Sequence, residues 1–194
     1  MTTDISPRED ARPYHHGDLR RALLEAAVEA IAEVGPAAVS LRDLARRTGV
    51  SHAAPAHHFG DKAGLLTAVA TDGFRRLAAT LGETYQASAN FLEVGVAYVR
   101  FAVTHRAQFE VMFRPELYHT DDPQLIQARD AARALLYPPA AEAANSPNGL
   151  DLRAGVAAWS LVHGLATLWL SHNLPPQLGD DPEQITREVA HHLF

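Results

Sequence analysis

The sequence predicts an all-α protein of about nine helices, and three observations lead there. Apolar residues recur at i, i+3 and i+4 in one stretch after another, which is the period of a helix face, and no convincing alternation with the period of a strand is present. The twenty residues SLRDLARRTGVSHAAPAHHF, 40–59, read as two short helices about a glycine turn. The stretch 150–172 is apolar on every side, so a helix there must be covered on every side.

Taken in order, Met1 to Pro13 reads as a flexible arm, with Pro7, Pro13, Arg8 and Arg12. Helix 1 is expected over 17–34. Asp18 can cap it, Leu24, Ala27, Val28 and Ile31 form its stripe, and Gly35-Pro36 ends it. Helix 2 starts from Ser40 as N-cap, with Asp43 placed to reach back three residues later. Leu41, Leu44 and Ala45 form its apolar row, Arg42, Arg46 and Arg47 flank it, and Gly49 can take the left-handed cap. Ser51 is then expected to cap helix 3. Pro55 falls early in that helix, where its ring costs little at the start but up to ~3 kcal/mol inside, so helix 3 should be short or bent.

Gly60 ends helix 3, and Asp61 can cap helix 4, expected over 62–85 with Leu66, Val69, Ala70, Phe74, Leu77 and Leu81 inward. Helix 5 follows over 90–105 and helix 6 over 107–114, before a loop holding Tyr118, His119 and Asp121. Asp122-Pro123 opens helix 7, a cap followed by proline at the first helical position, and Pro138-Pro139 interrupts it. Residues 140–149, rich in Ala, Asn and Pro, read as a mobile loop. Helix 8 covers 150–172, and helix 9 runs from Asp181-Pro182 to the C-terminus. The domains are therefore an arm at 1–13, a three-helix head at 14–79 with the helix-turn-helix at 40–59, and a helical body at 80–194.

Two helices about a glycine turn can be any helical hairpin of an all-α core. The face of the second favours a helix-turn-helix, whose second helix enters the DNA major groove. Ser51, His52, Ala53, Ala56 and His57 are small or polar where a core helix would carry Leu and Ile. Small side chains allow close approach to base edges, and Ser and His can hydrogen-bond them. Ser40, Arg42 and His58 are assigned to the same DNA-binding surface. Lys62 stands at the positive end of helix 4, against the helix dipole; a phosphate between the two resolves the conflict, and a solvated lysine is the alternative.

The chain of 194 residues carries a formal charge of −6, which by itself argues against nucleic acid. The distribution says more: residues 1–76 hold ten basic and ten acidic residues, and 77–194 hold seven and thirteen. A neutral, His-containing head on an acidic body is compatible with DNA binding through local contacts. The absence of cysteine removes disulfides and thiolate metal sites. The polar start of the chain shows no signal peptide, so a cytoplasmic location is expected. No GxSxG, HExxH, P-loop or dinucleotide fingerprint occurs, so neither an enzyme nor a cofactor is expected. The histidine pairs 15–16, 57–58 and 191–192 are adjacent on a helix and do not face the same way, so no metal site is expected either.

Helix 8 needs a cover. A membrane span is one reading, but 154–170 is at the short limit for one and contains His163, so no membrane partner is expected. The other reading is the core on one side and a second subunit on the other. Gly155, Ala158, Val162, Leu165 and Trp169 of helix 8, with Ile185 and Val189 of helix 9, are expected at a homodimer interface that makes a four-helix bundle with its two-fold mates.

The runs LLEAAVEAIAEVG, VSLRDLARRTGVS and HHFGDKAGLLTAV resemble the DNA-binding domain of the TetR (tetracycline-repressor-like) family, from about Tyr14 to Ala79. WSLVHGLATLWL, 159–170, is similar to the Trp-His-Gly type of C-terminal domain in that family. The resemblance implies a homodimeric repressor on double-stranded DNA, released from a palindromic operator by a small-molecule effector bound in the body. Phe101, Met112, Phe113, Trp159 and His163 come from helices 5, 6 and 8 and are the candidate ligand-binding residues; filling the core is their other reading, and for His163 a hydrogen-bonded core position. Apolar walls with few polar groups suit a hydrophobic effector. One departure stands out. The family usually has an apolar residue and then an aromatic, often Tyr, where this chain has Pro55 and Ala56, and the aromatic commonly touches phosphate. That leaves a ligand-sensing or interaction protein without specific DNA recognition as the alternative.

Overall fold

The computed structural model describes residues 16–137 and 152–191. Among them are nine α-helices and no strand: α1 His16–Ala38, α2 Leu41–Thr48, α3 Ala54–Phe59, α4 Lys62–Ser88, α5 Phe91–Thr104, α6 Arg106–Met112, α7 Pro123–Ala134, α8 Leu152–Leu170 and α9 Pro182–His191. Short 3-10 turns lie at Pro115–Leu117 and Pro176–Leu178. The all-α class is as expected from the apolar periodicity. The arm at 1–13, the loop at 140–149 and the outermost residues expected in helices 8 and 9 lie outside the described residues.

The element boundaries follow local chemistry. Gly35 breaks the helical path of α1 with φ 76° and ψ 161°, a conformation open to glycine, directly before the buried Pro36. The buried row of α1 is Leu23, Ala27, Ala30 and Ile31, so the inward face is rotated slightly from the expected stripe; Leu24 and Val28 are half-buried at its edge. Asn90 and Asp122 cap α5 and α7 by accepting from Leu92 N–H and from the Gln124 and Leu125 N–H groups.

The spine is α4. Its 27 residues extend about 40 Å at 1.5 Å per residue. Its first turns meet α1 and α3, and its remainder packs on α5, α6 and α7. The boundary expected at 79–80 therefore falls inside a continuous helix, and one hydrophobic cluster runs along it from Leu44 and Phe59 to Tyr98, Met112 and Leu125. Gly73 allows α6 to approach this spine closely: a Cβ there would stand 2.6 Å from the Met112 sulfur.

The inner face of α8 packs on α5, with Val162 Cγ1 3.2 Å from where a Cβ on Gly95 would be. This changes the expected interface. Gly155, Ala158, Val162 and Leu165 are buried within the chain, as is Ile185 of α9, while Trp169 and Val189 are half-buried against the same core. The reason is geometric: the helix buries one side of its girth on α5 and α9, and the small residues allow the close approach on that side. The exposed half carries Leu152, Val156 and Leu168, at 57%, 48% and 44% exposure, with Gly164 among them facing open space. Arg187 of α9 reaches Glu93 of α5 through two hydrogen bonds of 3.0 and 3.1 Å, fixing α9 on the inner side.

Candidate nucleic-acid interface and ligand cavity

The head is held by short-range polar contacts. Ser40 Oγ accepts from the Asp43 N–H at 3.2 Å, as an N-cap should. The Asp43 carboxylate does not reach back; it accepts instead from Arg46 and, at 2.7 Å, from Arg47, whose other nitrogen donates to Glu33 of α1 at 2.7 Å. The Arg47 guanidinium holds both carboxylates below their ordinary range. Two of the three arginines of α2 are thus neutralised within the head, and Arg42 is left exposed on its outer side. Gly49 closes α2 in the left-handed conformation, φ 68° and ψ 24°.

The second helix begins later than expected. Ala54 N–H donates to Ser51 O at 3.0 Å, so Ser51, His52 and Ala53 form the turn, and α3 is the six residues Ala54–Phe59 with Ala53 as N-cap. Proline explains the shift: without an N–H, Pro55 is best placed in the first turn, where the donors have no intrahelical partner. The ring of Pro55 is buried with Phe59 in the head, and the Arg20 guanidinium lies 5.2 Å over the Phe59 ring. Ser51, His52, Ala53, Ala56 and His57 are all exposed, and His58 is half-buried with its ring edge-on to His57. The departure at Pro55-Ala56 thus divides: Pro55 belongs to the core, and only Ala56 offers a different side chain to solvent.

The end of α3 is set by glycine. A Cβ on Gly64 would lie 2.0 Å from the Phe59 carbonyl oxygen, so the first turn of α4 can seat against α3 only with glycine there. Asp61 caps that turn, accepting from Gly64 N–H at 2.7 Å, which holds its carboxyl below the ordinary range. Lys62 is half-buried, and its ammonium donates to the Ala37 carbonyl beyond the kink of α1. That contact explains a cation at a helix N-terminus, and it leaves two of the three ammonium donors for another acceptor. From the body, His119 approaches the same place: its N–H donates to Thr67 Oγ1 at 3.0 Å and its Nε2 is 3.4 Å from Asp61 Oδ1.

The body encloses a cavity of about 200 Å³. Its walls include Phe74 and Leu77 of α4, Tyr98 of α5, Met112 of α6 with Phe113 at that helix's end, and Trp159 of α8, together with Tyr118 after the 3-10 turn and Arg129 and Arg133 of α7. Of the five expected ligand residues, Met112, Phe113 and Trp159 line it. His163 stands behind it: its Nδ1 is 2.9 Å from Tyr98 Oη, and Trp159 Nε1 donates to the same oxygen at 3.2 Å. Trp159 can only donate, so the phenol proton is free to go to His163 Nδ1. Burial lowers the His163 pKa and raises that of Tyr98. Phe101 is not at the cavity; it is buried and stacks on His105 with ring centroids 4.6 Å apart. Tyr98, Tyr118 and the arginines were missed from sequence. Arg129 and Arg133 do share one face of α7 at spacing four, and that is the available signal. Among the described residues no group of three His, Asp or Glu could hold a metal ion, and no helix is long and apolar enough to cross a membrane.

Two family models cover most of the chain. The model described as bacterial regulatory proteins, tetR family, matches residues 23–69, and the model described as tetracyclin repressor-like, C-terminal domain, matches residues 91–193. The chain belongs to the TetR family. Among its relatives is the HTH-type transcriptional repressor Rv3405c of Mycobacterium tuberculosis, 41% identical over 69 residues, 36% of this chain and 37% of that protein. The match thus spans little more than a third of the length of such curated relatives. A solved structure of a protein with unknown function from Rhodococcus sp. RHA1 is 34% identical with TM-score 0.78, over 93% of this chain and 96% of that one. The crystal structure of the putative regulatory protein SCO4313 shares the fold, at TM-score 0.76 and 20% identity over 92% and 96%.

Proposed function

We propose that this TetR-family protein is a DNA-binding transcriptional regulator, a homodimeric repressor that leaves a palindromic operator when a small effector enters the body. The observation that carries the reading is the surface of the helix-turn-helix. Five small or polar side chains, Ser51, His52, Ala53, Ala56 and His57, stand exposed on a turn and short helix whose position is fixed by Gly64 against Phe59. A helix of this surface can approach base edges closely. Ser40, Arg42 and Lys62 flank it and suit backbone phosphates, which position the protein while base contacts specify the sequence. The lining of the cavity by Phe113, Trp159 and Met112 supports an effector with apolar surface.

The exposed apolar half of α8 supports the dimer, with Leu152, Val156, Gly164 and Leu168 in place of the inner residues first expected at the interface. A palindromic operator requires the two-fold through that face to hold two α3 helices about 34–36 Å apart, one turn of DNA. The effector then biases two separations of the heads, of which one matches successive major grooves.

The test is fluorescence anisotropy with labelled duplexes tiled across the DNA upstream of the protein's own gene. One duplex should bind at least about a thousandfold more tightly than unrelated DNA at physiological salt. Equal, salt-sensitive binding to every duplex would favour the second reading, which the bare Ala56 position motivates: a sensor of this fold without specific DNA recognition.

A further inference from the structure

The cavity in the body contains one polar group that the fold itself leaves unanswered. Tyr98 Oη is engaged with His163 and Trp159, and Tyr118 Oη donates to the Met112 carbonyl at 2.8 Å. Arg133, one turn from Arg129 on α7, is 3.6 Å from Asp130 on the exposed side of the helix. Arg129 is different. It lines the cavity, and its Nε is the one buried side-chain nitrogen or oxygen, among the described residues, that has no hydrogen-bond partner.

A guanidinium is charged at every relevant pH, and a buried donor without an acceptor is unfavourable. Its Nε–H and adjacent Nη–H point the same way and match the two oxygens of a carboxylate. The setting reinforces the point: residues 77–194 hold seven basic and thirteen acidic residues, yet among the described residues the cavity wall carries two arginines and no carboxylate. The lining also includes Phe74, Phe113 and Trp159, which offer apolar surface and ring faces. The volume of about 200 Å³ equals the liquid share of about seven waters, which admits a small ring or a short chain.

We infer that the effector is a small monocarboxylic acid, its apolar part against Phe74, Phe113 and Trp159 and its carboxylate on Arg129. This rests on the reading of the cavity as the effector site. It adds the charged end that an apolar lining alone would not require.

The experiment is calorimetric titration of the full-length protein at neutral pH with two acids, 3-phenylpropionate and hexanoate, and with the matched alcohols 3-phenylpropan-1-ol and 1-hexanol. At least one acid should bind about tenfold or more tightly than its alcohol. Arg129→Gln should abolish that preference and leave the alcohol unchanged, Arg133→Gln should preserve it, and thermal melts establish that each variant folds. If Arg129→Gln does not fold, the ¹⁵N–¹H signal of Arg129 Nε in the wild type serves instead: it should shift with the acid and stay in place with the alcohol. Acid and alcohol binding equally, a preference that survives Arg129→Gln, or an Nε signal indifferent to the acid would overturn the carboxylate while leaving the cavity as an effector site. Binding of none of the four at millimolar concentration would overturn both.

Discussion

Tyr98 Oη lies 2.9 Å from His163 Nδ1, joining α5 to α8 at the back of the body cavity. The histidine that looked from sequence like either a core residue or a pocket residue is a supporting one. It shares a hydrogen bond with the phenol of a wall residue, and with Trp159 on the same oxygen it fixes the rotamers of two cavity side chains. The aromatic rings of Phe109, Phe113 and Trp159 pack around His163 and half-bury it, which disfavours the imidazolium.

Stability should therefore fall with acid through this residue. The folded-state pKa of His163 lies below its ordinary value, so between the two the unfolded chain binds more protons than the native one. His163 opposes folding as pH drops below about 6.5 and has no such effect above it. His163→Gln should lower stability by about 1 kcal/mol at neutral pH through loss of the Tyr98 contact, and flatten the decline below that pH. Urea midpoints across the acid range read both effects; an unchanged slope would show that His163 titrates normally.

Two glycine substitutions should have opposite signs. A Cβ at Gly155 would stand 2.2 Å from Tyr137 Cδ1 and 3.0 Å from its Cα, so Gly155→Ala forces α8 and the segment after α7 apart, at about 1–3 kcal/mol. A Cβ at Gly82, in the interior of α4, would meet Leu135 only at 3.7 Å, so Gly82→Ala should gain up to ~1 kcal/mol from helix propensity. Equal effects in chemical denaturation would contradict the packing of α8 on Tyr137.

The exposed and buried faces of α8 separate dimerisation from folding. Leu168→Glu puts a charge on the outer face and should yield a folded monomer with weakened operator binding. Val162→Glu puts it in the core, where Val162 is 5% exposed, and should unfold the chain at a cost of several kcal/mol, on the order of 3–5. Circular dichroism and light scattering on both proteins decide the matter. A Leu168→Glu protein that remains dimeric would move the interface off this face.

In the head, Gly64→Ala should abolish specific binding by displacing α3, because the added methyl meets the Phe59 carbonyl rather than a movable side chain. Lys62→Ala should weaken binding to every duplex and reduce the salt slope by about one if the ammonium reaches phosphate while held by Ala37. His57→Ala should cost ~1–3 kcal/mol at the preferred duplex alone if it reads a base. A Lys62→Ala protein with the wild-type salt slope would confine that lysine to its contact with α1.

What the chain order states directly is local. The period of its apolar residues, the caps at Ser40, Asp61 and Asp122, and the breaks at Gly35, Gly49 and Gly60 depend on neighbours within about one helical turn, so the all-α class, the helix-turn-helix and most helix ends were legible. The start of α3 was misplaced because Ser51 is a good cap by type, and the constraint from Pro55 outweighed it. Tertiary structure decided what lies across space. A helix apolar all round does not reveal which half meets its own subunit; that follows from how closely Gly155 and Val162 approach Tyr137 and Gly95. Nor could sequence bring Arg129 of α7 to the aromatic residues of α4 and α8, since that cavity exists only where three helices, distant in the chain, fail to fill the space between them.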